Sequence, residues 1–271
     1  MKKTIALILL FSCLLSSCTN IQRTKLNSSD SLYANKMAIP KEVQILMAVY
    51  PSFIVGFENN HIIFANGTRL IFDDGIQKSP IELMDNPDIK NIFTYKYQKG
   101  IIDTLPRFHN PGRIRNEELL KIMYGGTSIE VQQRLTTIIW CPKLVNQRLQ
   151  VTTVNGVDKK FEAVSAELDE HPEWKDYLFS LGTFNWRAIR GTSNRLSPHC
   201  FGIAIDINTA HSNYWQWDYN TNNENIELLY RNRIPQGIVD IFEKHGFIWG
   251  GKWYHYDTMH FEYRPELLFA D

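Results

Sequence analysis

The sequence predicts an α+β fold, with a small antiparallel sheet flanked by helices and a β-rich N-terminal extension ahead of it. Three observations carry that prediction. Apolar residues recur at helical spacing over 117–124, 129–135 and 235–245, and a mostly helical stretch covers 161–181. Two short runs, Ile203–Asn208 and Met259–Tyr263, alternate with a period of two and read as strands. Between Val43 and Lys99, apolar clusters such as Ile45-Leu46-Met47, Phe53-Ile54-Val55 and His61-Ile62-Ile63-Phe64 are separated by turn signals at Asn66-Gly67 and Asp73-Asp74-Gly75, the pattern of short strands and hairpins.

Taken in order, the chain opens on Met1-Lys2-Lys3 and a short apolar run from Ile5 to Phe11, which has the form of a secretory signal and is too short to span a bilayer. Leu15-Ser16-Ser17-Cys18 follows and resembles the bacterial lipobox. Residues 1–17 are accordingly expected to be removed. Cys18 then becomes a lipid-bearing N-terminus that anchors the protein to a membrane in the cell envelope, on the periplasmic or extracellular side. The following segment, to residue 40, is rich in Ser, Asn, Thr and Lys and reads as a solvated tether. Residues 41–111 are expected to form a packing region. Pro111-Gly112 marks a break, and residues 112–271 are expected to form the catalytic domain.

Within that domain, two helical segments lead to a strand candidate at Thr136–Trp140. Pro172 interrupts or begins a helix because it lacks an amide donor. The segment Pro235–His245 gathers Ile238, Val239, Ile241 and Phe242 on one side, with Gly246 as its C-terminal stop. Lysine plus arginine equals aspartate plus glutamate at 29 each, and loss of Lys2 and Lys3 with the signal changes the sum only from 0 to −2. No global field therefore draws the chain to nucleic acid. Of the four cysteines, Cys13 leaves with the signal and Cys18 is the anchor. Cys141 and Cys200 are left, and the sequence leaves open whether they pair.

The chemistry sits in Ser197-Pro198-His199-Cys200-Phe201-Gly202-Ile203-Ala204-Ile205-Asp206 and in Asp257-Thr258-Met259-His260. A catalytic zinc takes three nitrogen or carboxylate ligands and keeps one position open. On one helix, His199 and Asp206 would lie about 10.5 Å apart along the axis, too far for one ion. A turn at Gly202 followed by a strand brings them together, with Ile203, Ile205 and Ile207 facing a core and Ala204, Asp206 and Asn208 facing the site. The same alternation puts His260 and Glu262 on one face. Asp257, at the entrance to that strand, is left for proton transfer. Glu262 either orients a ligand histidine or pairs with a basic residue such as Arg264.

The pattern Ser197, His199, Gly202, Ala204, Asp206 resembles that of the zinc peptidases of the D-alanyl-D-alanine carboxypeptidase group, whose fold is shared with hedgehog signalling domains. The resemblance covers roughly residues 113–266. It implies one Zn2+ ion held by His199, Asp206 and His260, with Asp257 as general base and then acid. It also implies a peptidoglycan stem-peptide substrate containing D-amino acids, an arginine upstream of the first histidine that steadies the polarised carbonyl or a substrate carboxylate, and substrate binding by Ser197. Arg187 is preferred for the arginine's role over Arg190, which is assigned to substrate binding. Asp257 stands where many carboxypeptidases and dipeptidases of the group have glutamate, a feature similar to the L-alanyl-D-glutamate endopeptidases, so both cleavage types stay open. Thr258 occupies the place of the first histidine of a His-x-His motif and disfavours the lysostaphin type.

His211 and His255 are rival ligands by proximity in sequence but do not fit the pattern, and adjacency to His199 points Cys200 away from the site. His61, His109, His171 and His245 lack metal-like spacing. Trp249, Trp253 and Tyr254 read as core or as a substrate groove. A different functional class, a catalytically inactive wall-binding lipoprotein of the same fold, is opposed by the spare acid, since a structural zinc site is closed by four protein ligands. A protein-binding domain of the hedgehog type is weaker still.

Overall fold

The computed structural model describes residues 38–102, 104–190, 192 and 195–269. The segments expected to be signal, lipobox and most of the tether lie outside the described residues. From Ile39 onward the chain packs as one unit. It mixes helices with three small antiparallel sheets, consistent with an α+β fold. Among the described residues no helix is long and apolar enough to cross a membrane.

Helix α1 (Lys41–Val49) buries Val43 and Leu46, one turn apart, and contains Ile45-Leu46-Met47. This corrects the strand reading of that cluster: its buried positions follow a period of three to four, which a short apolar run conceals. A meander follows in β1 (Ile54–Glu58), β2 (His61–Phe64) and β3 (Arg69–Ile71). The β1–β2 turn uses Asn59 and Asn60, both at positive φ, the backbone that a tight two-residue hairpin requires. Helix α2 (Pro80–Asp85) starts on a reciprocal cap between Ser79 and Glu82. Among the described residues of this N-terminal region, strands are thus confined to residues 54–71, and the region is mixed rather than β-rich.

Helix α3 (Glu117–Tyr124) is capped by the Asn116 side chain, which accepts from the Leu119 amide at 2.9 Å, and α4 (Ser128–Gln132) is capped by Thr127. Strands β4 (Leu135–Trp140) and β5 (Gln147–Thr152) form a hairpin. Helix α5 (Val157–Leu168) covers the first part of the mostly helical stretch expected over 161–181. At its end, the Asp169 carboxylate accepts from the Lys143 and Leu144 amides, and Pro172 opens a separate 3-10 turn before α6 (Lys175–Leu178).

The third sheet carries the site. Its order is β6 (Ala204–Asp206), β8 (His260–Tyr263), β7 (Phe247–Trp249), so the last strand in sequence is central. Helix α7 (Trp215–Tyr219) lies in the connection after β6, and α8 (Gln236–Lys244) covers the sheet with Ile238, Val239 and Phe242. Phe242 stacks on Phe261 of β8 with ring centroids 3.9 Å apart. Burying such a side chain contributes about 1.5–3 kcal/mol, so this contact fixes α8 to the back of the site strand. Ile203, Ile205 and Ile207 are fully buried, as the alternation predicts.

The N-terminal region shares this core. Tyr50 donates to Glu266 of α9 (Pro265–Leu268) at 2.6 Å, Tyr97 donates to Glu243 at 2.7 Å, and the Lys252 ammonium donates to the Gln98 carbonyl at 2.7 Å. All six groups pair within the described residues. Burial of such groups without partners would cost several kcal/mol.

Candidate metal centre

His199 stands on a 3-10 turn, 198–201, that begins with Pro198 and is capped by Ser197, whose hydroxyl accepts from the His199 amide at 3.4 Å. Gly202 closes the turn at φ 65, and a Cβ there would lie 2.8 Å from Leu135 Cδ2 and 3.0 Å from the Thr152 amide nitrogen. Only glycine fits this junction on both counts. Two residues later β6 begins, and its Asp206 lies directly opposite His260 of β8 in the antiparallel register. Directly opposed residues share a sheet face, so the register brings the acid and the second histidine together.

One donor atom from each of His199, Asp206 and His260 lies within 4.8 Å of the others. Asp206 Oδ1 is 3.2 Å from His199 Nε2 and 3.0 Å from His260 Nδ1. The outer nitrogens are already engaged: His199 Nδ1 is 2.8 Å from the Thr183 carbonyl oxygen, and His260 Nε2 is 3.2 Å from Glu262 Oε2. If each ring donates its outer N–H, its inner nitrogen presents a lone pair to Asp206. His199 Nε2 is buried and has no hydrogen-bond partner among the described residues, because its approach to Asp206 lacks hydrogen-bond geometry. Two lone pairs and a carboxylate oxygen at these separations repel unless protons or a cation lie between them. The donor set and the held outer nitrogens fit a divalent zinc ion.

The electrostatics agree with that geometry. Burial raises the Asp206 pKa, but the His199 and His260 rings outweigh it and hold the carboxyl well below its ordinary range. Burial lowers His260, yet hydrogen bonds and charge from Asp206 and Glu262 push it up to about 10 in the absence of a cation. Glu262 is fully buried and held well below the usual carboxylate range, where the Arg115 guanidinium, the His260 hydrogen bond and Arg264 overcome desolvation. Arg115 grips it with Nε at 3.0 and 3.1 Å and Nη2 at 2.8 Å, and Arg264 Nη1 adds a contact at 3.2 Å. Glu262 therefore does both things left open by the sequence, contacting His260 and pairing with basic residues.

Asp257 lines the same cavity, which encloses about 680 Å3. Its Oδ1 is buried with no hydrogen-bond partner among the described residues. Burial, reinforced by the nearby Asp206 charge, raises its pKa to about 7. The segment is clamped where the Asp257 amide donates to the Gly250 carbonyl at 3.0 Å, and a Cβ on Gly250 would come within 2.5 Å of the Asp257 carbonyl oxygen.

Arg187, Arg190 and Ser197 line the cavity as well. Both arginines are exposed, whereas Ser197 is buried. The Arg187 backbone is tied to Cys200, whose Sγ accepts from the Arg187 amide at 3.1 Å and donates to its carbonyl at 3.0 Å. Cys200 and Cys141 are both buried free thiols. His211 does not line the cavity but packs against Tyr177, with ring centroids 5.0 Å apart. His255 reaches the cavity edge, but its nitrogens meet Asn110 Oδ1 at 3.3 Å and the Glu224 carbonyl at 2.9 Å. Burial and Arg113 push its pKa down to about 4. Trp249 and Tyr254 are buried in packing clusters, while Trp253 is buried and also lines the cavity. Arg113, Arg115, Arg195 and Trp217 are cavity residues that sequence reasoning missed; no local motif marks them. Cys18 lies outside the described residues.

No curated protein and no solved structure matches the chain. A family model does match, over residues 190–263, a stretch that contains His199, Asp206, Asp257 and His260 but neither Arg187 nor the N-terminal region. The model is that of D-alanyl-D-alanine carboxypeptidase, and over this segment the chain is similar to that family.

Proposed function

We propose that the protein hydrolyses a peptide bond in peptidoglycan stem peptides containing D-amino acids, using one zinc ion held by His199, Asp206 and His260. The observation that carries this reading is the convergence of those three donors in a cavity that also holds the Asp257 carboxyl, whose Oδ1 has no hydrogen-bond partner among the described residues. A structural site has no use for that spare acid. When bound, zinc would polarise the scissile carbonyl and lower the pKa of water.

The chain's own residues carry the remaining steps. Asp257 takes a proton from the attacking water and returns it to the leaving amine, a task suited to a buried carboxyl that lines the cavity and whose pKa burial raises. Arg187 donates to the carbonyl oxygen as it gains negative charge, and a guanidinium fork suits that geometry. Glu262 holds His260 in the tautomer that leaves Nδ1 facing the cavity. Ser197 and Arg190 contact the substrate from the cavity wall.

Carboxypeptidase and endopeptidase cleavage make different fragments, and aspartate at position 257 inclines the reading toward the endopeptidase. The protein acts in the cell envelope: residues 1–17 direct export, Cys18 carries the lipid, residues 18–40 are the tether, 41–111 the packing region and 112–271 the peptidase domain. Mass spectrometry of muropeptides incubated with the zinc-loaded protein tests the function and identifies the bond. An unaltered digest in the presence of one bound zinc would refute hydrolysis and leave a wall-binding protein.

A further inference from the structure

The connection after β6 presents a tryptophan that packing does not use. Of the seven tryptophans, all among the described residues, Trp217 alone is exposed, with 61% of its surface in solvent. Helix α7 accounts for its direction. Trp215 and Asp218 lie one turn apart and face inward: Trp215 is buried with Tyr254, Tyr256 and Leu228, and Asp218 Oδ2 accepts from the Tyr256 hydroxyl at 2.7 Å. Trp217 falls on the outer face, where it lines the cavity that holds His199, Asp206 and His260. Its ring meets Tyr214 edge-on, with centroids 5.3 Å apart and planes at 88°, so the indole is held in one orientation with apolar surface left in water.

This wall is also fixed relative to Asp257. The Trp215 amide donates to the Tyr256 carbonyl at 3.0 Å and the Thr258 amide donates to the Asn213 carbonyl at 2.9 Å, which pairs Tyr214 with Asp257 across an antiparallel bridge. Around Trp217 the lining is neutral. Gln216, Asn220 and Asn222 share the wall, and their side-chain amides make no hydrogen bond among the described residues. The arginines and carboxylates of the cavity come from other segments.

A ligand that suits this wall has a flat apolar face and, around its edge, neutral groups that both donate and accept, because each primary amide does both. A pyranose ring has that form. Its C–H groups carry slight positive charge toward the negative face of an indole, and its hydroxyl and acetamido groups point outward to the amides. A peptide of small aliphatic residues offers no comparable face.

We infer that Trp217, Gln216, Asn220 and Asn222 form a sugar subsite that seats an N-acetylated amino-sugar ring beside the metal centre. Which sugar it takes rests on the peptidase reading: it is the ring that carries the stem peptide, so the preferred substrate is peptide still joined to glycan.

The test titrates the zinc-loaded full chain carrying Asp257→Asn, which blocks turnover, by calorimetry with a disaccharide-linked stem peptide and with the same peptide lacking sugar. Stacking together with hydrogen bonds from the amides predicts that the sugar-bearing probe binds about tenfold or more tightly. Trp217→Ala removes that gap and Trp217→Phe keeps part of it. Equal affinities, absence of binding by both probes, or a gap that persists in Trp217→Ala overturns the subsite. Comparing two probes on one protein needs no Trp217 variant, so misfolding cannot mask the result. Phosphatidylglycerol vesicles that bind the protein through Trp217, without any gap between the two probes, would assign the indole to a membrane surface and likewise overturn the subsite. Hydrolysis by the unmutated protein is scored separately: a Trp217-dependent gap without cleavage refutes the peptidase reading and keeps the sugar subsite, and cleavage without a gap does the reverse.

Discussion

Replacement of Glu262 by glutamine tests how the site is supported. Glu262 has no solvent exposure and receives five hydrogen-bond contacts, three from Arg115, one from Arg264 and one from His260. Glutamine keeps the shape but removes the charge and turns one acceptor into a donor facing guanidinium N–H groups. Arg115 and Arg264, 12% and 3% exposed, then lose their shared counterion, although Arg264 retains Glu266. Breaking a buried ion pair from one side costs about 3–5 kcal/mol, a large part of a typical total of about 5–15 kcal/mol. His260 also loses the acceptor that fixes its tautomer, which predicts a fall of about 10–100-fold in zinc affinity.

The assays are urea denaturation of the metal-free protein and competitive zinc titration. Their pH dependence has a definite sign. The folded pKa of Glu262 is depressed, so its stabilising contribution is present above the unfolded value of about 4.3 and is lost as pH falls from there toward the folded value. The unmutated protein should therefore lose more stability than Glu262→Gln below about pH 4. A stability change under about 1 kcal/mol at neutral pH, together with unchanged zinc affinity, would show that the network does not support the site as argued.

Three further outcomes follow from the same geometry. Asp257→Asn should bind zinc with the usual stoichiometry but lose about 10²–10⁴-fold in turnover. It should also abolish an acid limb set by ionisation of Asp257, which lies at or below about pH 7 because a neighbouring cation lowers the metal-free value; pH–rate profiles with metal analysis check both. Arg187→Gln should reduce kcat by about 10²–10³-fold with little change in melting temperature, since the side chain is exposed, and steady-state kinetics with calorimetry separates the two. Gly250→Ala should force the added methyl against the Asp257 carbonyl, cost about 1–3 kcal/mol and lower turnover; unchanged stability by thermal denaturation would contradict the close contact.

The three residues that could hold a metal, His199, Asp206 and His260, were legible because their placement depends on local periodicity. Ile203, Ile205 and Ile207 point one way and Asp206 the other whenever the segment is extended, and His260 and Glu262 follow the same rule. Helix α8 was legible for a similar reason, its apolar stripe being continuous and closed by Gly246. Helix α1 was not, because three adjacent apolar residues suit a strand as well as a helix until a partner selects the face that is buried.

The sequence by itself thus determined which residues can ligate a metal and which side of a strand they occupy. Only the tertiary structure decided that Asp206 stands opposite His260, that Arg115, far upstream, neutralises Glu262 beneath the second histidine, and that Arg113 and Arg195 meet in one wall. Side-chain direction along a strand is a property of consecutive dihedral angles. Register and cavity composition come from packing between distant segments, and those contacts leave no periodic trace in either segment alone.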